Sequence, residues 1–135
     1  MSDPKLITAR RKYGAAAIVV YLQLLVMAYR DKGYYLAYGD SDRDGVIWSI
    51  KSEVLSGRYE PDAEKFAEMI DCLAAHGLFD GDLFQQGIIT SHRIQEHYYF
   101  ATAGRTNPEV KWELWLLTEQ EMREISSRSV LLQKF

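Results

Sequence analysis

Three aspartates alternate with other residues and run into a glycine in the stretch Asp40-Ser41-Asp42-Arg43-Asp44-Gly45. Carboxylates at the first, third and fifth positions followed by glycine form the opening half of an EF-hand loop, which holds calcium with oxygen ligands and closes with a bidentate glutamate at position twelve. The twelfth residue here is Lys51, and Glu53 comes two residues too late. The preceding segment, Tyr34 to Tyr38, is rich in aromatics and reads as a strand, where an EF-hand needs an incoming helix. The residues favour a strand-to-helix turn at Gly45, with the aspartates facing the open N–H groups of a helix from Val46 to Leu55. A calcium-responsive binding protein using residues 40–51, with Asp40, Asp42 and Asp44 as weak cation ligands, stays as an alternative.

The other reactive side chains are less organised. His92 and His97 flank Arg-Ile-Gln-Glu, five apart, whereas a zinc-binding helix places two histidines four apart on one face. His97 is expected on the core side of its helix, together with Ile94, Tyr98 and Ala101. His76 falls at a helix C-terminus, which favours its charged form. Cys72 is the single cysteine, so no internal disulfide exists, and its apolar side of a helix without a basic neighbour in sequence points to packing. No nucleophile elbow, phosphate-binding glycine loop or dinucleotide fingerprint occurs, and no carboxylate lies in an evident apolar pocket. The expectation is a non-enzyme without cofactor. Aromatics are plentiful at Tyr34, Tyr35, Tyr38, Tyr98, Tyr99, Phe100, Trp112 and Trp115, yet the cations needed to hold stacked single-stranded bases are sparse around them. Core and oligomer contacts come first.

These residues must be positioned by a chain of 135 residues, 47% hydrophobic and 26% charged, which suits one domain with one core. Asp3 and Pro4 start a basic helix that runs to about Tyr13. After Gly14, Ala15 to Tyr29 is apolar except for Gln23. It spans about 22 Å, short of the ~30 Å membrane core, and reads as a helix buried on nearly all sides, central in its domain or covered by a partner. Beyond the strand and the third helix, Pro61 and Asp62 start a fourth, with Phe66, Met69, Ile70 and Leu73 inward and a stop at His76 and Gly77. Leu78 to Phe84 reads as a tight Asp-Gly hairpin. A helix follows from Ser91 to Ala103, then a loop at Asn107 and Pro108. Val110, Trp112, Leu114 and Leu116 alternate as in a half-exposed strand, and Thr118 with Glu121 forms a capping box for a last helix through about Ser127. The fold class is α+β, mainly helical, a winged-helix-like domain with a small antiparallel sheet over residues 1–105. Residues 106–135 add a strand and a helix that pack on it or on a partner. The N-terminus lacks the order of a signal peptide, so a cytoplasmic setting without membrane contact is expected.

Several stretches resemble the N-terminal domain of phage-type replisome organisers related to DnaD-like replication initiation proteins. They are RKYGAAAIVVYLQLLVMAY, GYYL, IDCLAAHGLFD, LFQQGIITSHRIQEHYY and WLLTEQE. The resemblance implies a winged helix that assembles a replication initiation complex on DNA, often as an oligomer, and a separate C-terminal region; 135 residues leave no room for it, as expected of either a naturally short member or a truncated chain. The charge pattern qualifies how such a domain would act. The net charge of −3 combines a basic stretch, residues 1–39, with an acidic one, residues 40–82. Phosphate contacts in a winged helix come from lysine and arginine around the helix before the wing, and here that helix carries the acidic face Glu60, Asp62, Glu64, Glu68 and Asp71. That face suits a protein partner. Any DNA contact falls instead to Lys5, Arg10, Arg11 and Lys12, with Arg93 and Arg105. The leading expectation is an assembly scaffold that engages replication proteins or itself as a homo-oligomer, and the alternative a direct DNA-binding winged-helix regulator.

Overall fold

The computed structural model describes residues 4–53, 63–103, 110–127 and 129–135. A helix α1 (Pro4–Tyr13) turns through Gly14 into α2 (Ala15–Arg30), the helix around which the rest is arranged. Apolar residues at every turn let α2 bury Ala17, Val20, Tyr21, Leu24 and Ala28 against α1, against α3 (Arg43–Glu53) and α4 (Ala63–Ala75), and against α6 (His92–Thr102). Phe66, Ile70 and Leu73 of α4, Ile50 of α3 and Ile94 of α6 reach zero exposure in this core. Each such side chain contributes about 1.5–3 kcal/mol by leaving water. The α4 stripe is the one its sequence spacing predicts.

The sheet is small. Strands β1 (Leu36–Ala37) and β2 (Ile88–Ile89) pair antiparallel, Leu36 opposite Ile89 and Ala37 opposite Ile88, and Tyr38 N–H extends the pairing by donating to Gly87 C=O at 2.7 Å. The aromatic stretch 34–38 is thus strand only at its centre. Gly87 sits at φ 84°, and a Cβ there would stand 2.8 Å from Gly39 Cα, so the close approach of the two segments needs glycine.

Three sequence expectations change. Gly45 is not the strand-to-helix turn: α3 already begins at Arg43, and the turn is made by Gly39 to Asp42, with Arg43 N–H bonded to Gly39 C=O at 3.1 Å. The Asp-Gly hairpin at 78–84 is instead the short helix α5 (Gly81–Gln85), because the Asp80 carboxylate accepts from Leu83 N–H at 3.0 Å as an N-cap. Asp80 N–H meanwhile donates to Thr90 C=O, which fixes the entry to α5 beside β2. The alternating segment after Val110 is no strand; Trp112–Leu114 is a 3-10 turn. Its neighbouring backbone groups are taken by the Gln95 side chain, which donates to Leu114 C=O at 2.8 Å and accepts from Leu116 N–H at 2.6 Å. A strand partner is thereby unnecessary. The Thr118–Glu121 capping box forms as expected and opens α7 (Glu119–Ile125), while α8 (Val130–Lys134), capped by Ser129, has no counterpart in the sequence expectations.

Residues 110–127 and 129–135 pack on the rest through two further apolar clusters. One joins Leu114 to Tyr34, Tyr35 and Leu83, with Tyr98 and Trp115 packed against it; the other joins Leu117, Met122 and Leu131 to Tyr99. The whole is mainly helical α+β with a two-stranded antiparallel sheet. No helix among the described residues is long and apolar enough to cross a membrane.

Candidate interaction surfaces

Arg10, Arg11 and Lys12 occupy the last turn of α1, where cations complement the partial negative charge of a helix C-terminus, and all three are exposed. Because α1 packs on α4, this basic end does not stand apart from the acidic face. Lys12 and Tyr13 line one cleft of about 440 Å³ with Glu68, Asp71, Cys72 and His76. Two cations flank the Tyr13 ring, Lys12 Nζ at 5.4 Å and Lys65 Nζ at 5.3 Å from its centroid, and Lys65 reaches Glu68 at 3.9 Å. Opposite charges a few ångströms apart cancel at longer range. Glu64, Glu68 and Asp71 are exposed on α4 as expected, while Glu60, Asp62 and Arg105 lie outside the described residues, as does the Lys5 side chain. Arg93 lies on α6, in another cleft with Tyr21, Asp80, His92 and Glu96. The described members of the basic set therefore do not form one patch.

The aspartate stretch does not close into a cage. Asp40 is exposed, the Asp42 carboxylate accepts from Gly39 N–H at 3.3 Å, and Asp44 lies in the first turn of α3. Among the described residues no three His, Cys, Asp or Glu side chains gather as metal ligands would. His92 lies 3.7 Å from Glu121, and the His76 ring lies 2.8 Å from the Cys72 carbonyl. Cys72 itself is buried. His97 corrects its expected place: it is exposed, its ring 4.5 Å from that of Tyr29. The buried positions of α6 are Ile94, Gln95, Tyr99 and Thr102, so the helix is rotated relative to the expected stripe. Ala101 is exposed too.

Among tyrosines, burial pushes the Tyr38 hydroxyl up to about 12, against the pull of the Arg43 guanidinium 5.2 Å over its ring; Asp71 adds to the rise. Tyr29 and Tyr34 are raised for the same first reason, burial. A phenol held protonated serves packing rather than acid–base chemistry near neutral pH.

The structure exposes what the sequence reading had hidden. The helix α2 was expected to be covered nearly all round, yet Leu22 is 42% and Val26 40% exposed, on the side away from Leu24 and Ala28. Trp48 on α3 is 70% and Phe100 on α6 is 71% exposed. Exposed apolar side chains mark interaction sites where they form a contiguous patch, and Leu22 and Val26 lie one turn apart on the same face of α2. The signal was present in the phase of the apolar run, since one face of α2 suffices for its core contacts.

Compared with known protein families, residues 1–94 match the model of the family described as Lin1244/Lin1753-like, N-terminal. No curated protein and no solved structure matches the chain.

Proposed function

The chain belongs to the Lin1244/Lin1753-like, N-terminal family, and we propose that it is a non-enzymatic module of phage- or prophage-type DNA replication initiation that acts as an assembly scaffold in the cytoplasm. The observation that carries this reading is the exposure of Leu22, Val26, Trp48 and Phe100 on three helices, on a chain whose basic cluster is partly neutralised by α4. Apolar and aromatic anchors of this kind bind proteins. The order α2, β1, α3, α4, α5 and β2 is that of a winged helix with one helix, α5, inserted before the second strand, and the described residues hold no third strand to make a wing. The helix before that point, α4, turns Glu64, Glu68 and Asp71 outward, which repels phosphates.

The test is direct. The purified chain is mixed with a replicative helicase and a helicase loader, and complexes are sized by light scattering, while binding to single-stranded and duplex DNA is followed by anisotropy at low salt. A stoichiometric protein complex with weak DNA affinity supports the scaffold. Tight, salt-dependent DNA binding that disappears when Arg10, Arg11 and Lys12 become glutamine, without a protein complex, overturns it in favour of a DNA-binding regulator.

A further inference from the structure

The outer face of α2 has a spacing of its own. Ala15, Val19, Leu22, Val26 and Tyr29 follow one another at intervals of four, three, four and three residues, the alternation of a heptad seam. The valines occupy one set of seam positions and Leu22 the central place of the other, the combination that favours two parallel strands in knobs-into-holes packing. The core fills the opposite side with Ala17, Val20, Tyr21, Leu24 and Ala28 and takes only Tyr29, at the end of the seam, from this face, leaving Leu22 and Val26 about two-fifths exposed. No charged residue lies between Ala15 and Tyr29, whereas a helix facing water carries charge on its outer side.

The seam does not stop at α2. Tyr21 shares a cleft with Arg93 and Glu96, and Tyr29 shares one with His97 and Ala101, so α6 runs beside α2 in the same direction. The contact between the Tyr29 and His97 rings joins the two helices into one surface, which ends in the exposed Phe100. A helix of this length measures about 24 Å, and with α6 lying ~10 Å to one side the face covers on the order of 500 Å² in projection, which is below the ~800 Å² per partner of a standard interface and fits a weak dimer.

We infer that this face binds a second copy of the chain, two α2 helices lying parallel with Leu22 of one against Leu22 of the other. An isologous seam asks of each copy only the surface that it already presents. The inference rests on the scaffold reading for its biological use, but its test is separate. Light scattering of the full chain at tens of micromolar is expected to give a dimer. L22E and V26E are expected to raise its dissociation constant at least about 30-fold, the effect of losing a hot-spot residue, with the helical circular dichroism unchanged because both positions are already part exposed. L22C is expected to form an intermolecular disulfide under mild oxidation, a readout that does not require weakening the fold. A monomeric wild-type chain, a dimer indifferent to L22E and V26E, or an L22C dimer that does not cross-link overturns the inference. A dimer that captures no replication protein upholds the seam and overturns the scaffold reading; a monomer that captures one does the reverse.

Discussion

Gln95 is the residue on which the most backbone depends. It is fully buried and donates to Thr90 Oγ1 at 3.1 Å and to Leu114 C=O at 2.8 Å while accepting from Leu116 N–H at 2.6 Å; Thr90 in turn donates to Tyr34 C=O at 2.5 Å. Replacing it with leucine keeps the volume and strands these groups, so Gln95→Leu is expected to cost about 2–4 kcal/mol, roughly a 10 °C drop in melting temperature by calorimetry. Tyr38 makes the opposite case. Its hydroxyl is buried and has no hydrogen-bond partner among the described residues. Its acidity is shifted from 10 to about 12 by burial, so the folded chain holds a proton that the unfolded chain releases above pH 10, and stability falls as pH rises from 10 towards 12. Tyr38→Phe is expected to leave stability at neutral pH unchanged or slightly raised and to flatten that alkaline loss, as urea titrations at pH 8 and pH 11 would read. Neither role was legible in the sequence: Gln95 lies in a helical stretch whose phase had been assigned to His97, and a tyrosine in an aromatic run gives no sign of whether its hydroxyl meets water.

At the scale of elements, what could be read was what local chemistry decides. Thr118 boxes with Glu121 as their spacing predicts, because a cap needs only residues three apart, and Ser91, placed at the start of its helix, caps α6 through Ile94 N–H. The hairpin and the second strand failed because each needed a distant partner. Asp80-Gly81 serves a turn or an N-cap equally well, and contact with Thr90 decides for the cap. The alternation at 110–116 is that of a half-buried segment, and the Gln95 side chain, not a strand, faces it. Gly87 tests the element level. A side chain there meets both a positive φ and the Gly39 backbone, so Gly87→Ala is expected to cost about 2–3 kcal/mol from strain and displaced β pairing. Gly81→Ala, in open space within α5, is expected to cost none, and thermal melts of the two variants side by side check the difference.

The charge of the whole molecule was visible as a basic beginning and an acidic middle, but not that α1 lies on α4 and brings the two together, because nothing in composition encodes which helices touch. The same holds for the C-terminal part, expected either on this chain or on a partner. Its described residues, 110–127 and 129–135, are held by Gln95, by Lys111 N–H on the Tyr34 hydroxyl at 2.9 Å, by the Tyr99 hydroxyl on Ser126 C=O at 2.6 Å, and by apolar clusters that include Tyr34 and Tyr99. The family match stops at residue 94, one position before the glutamine that fastens this part. If the two parts share their stability, they unfold together. Trp112 and Trp115 report on the C-terminal part once the exposed Trp48 is replaced by phenylalanine, and far-ultraviolet circular dichroism reports mainly on the helices before it. The expected outcome for Trp48→Phe is a single urea midpoint by both signals. Adding Gln95→Leu is expected to move the tryptophan transition to lower urea than the helical one, since it cuts the side-chain bonds to Leu114 and Leu116 and leaves the α1–α4 core intact. Two separate midpoints before that substitution would mean that the C-terminal part folds on its own terms, with Gln95 merely lying beside it.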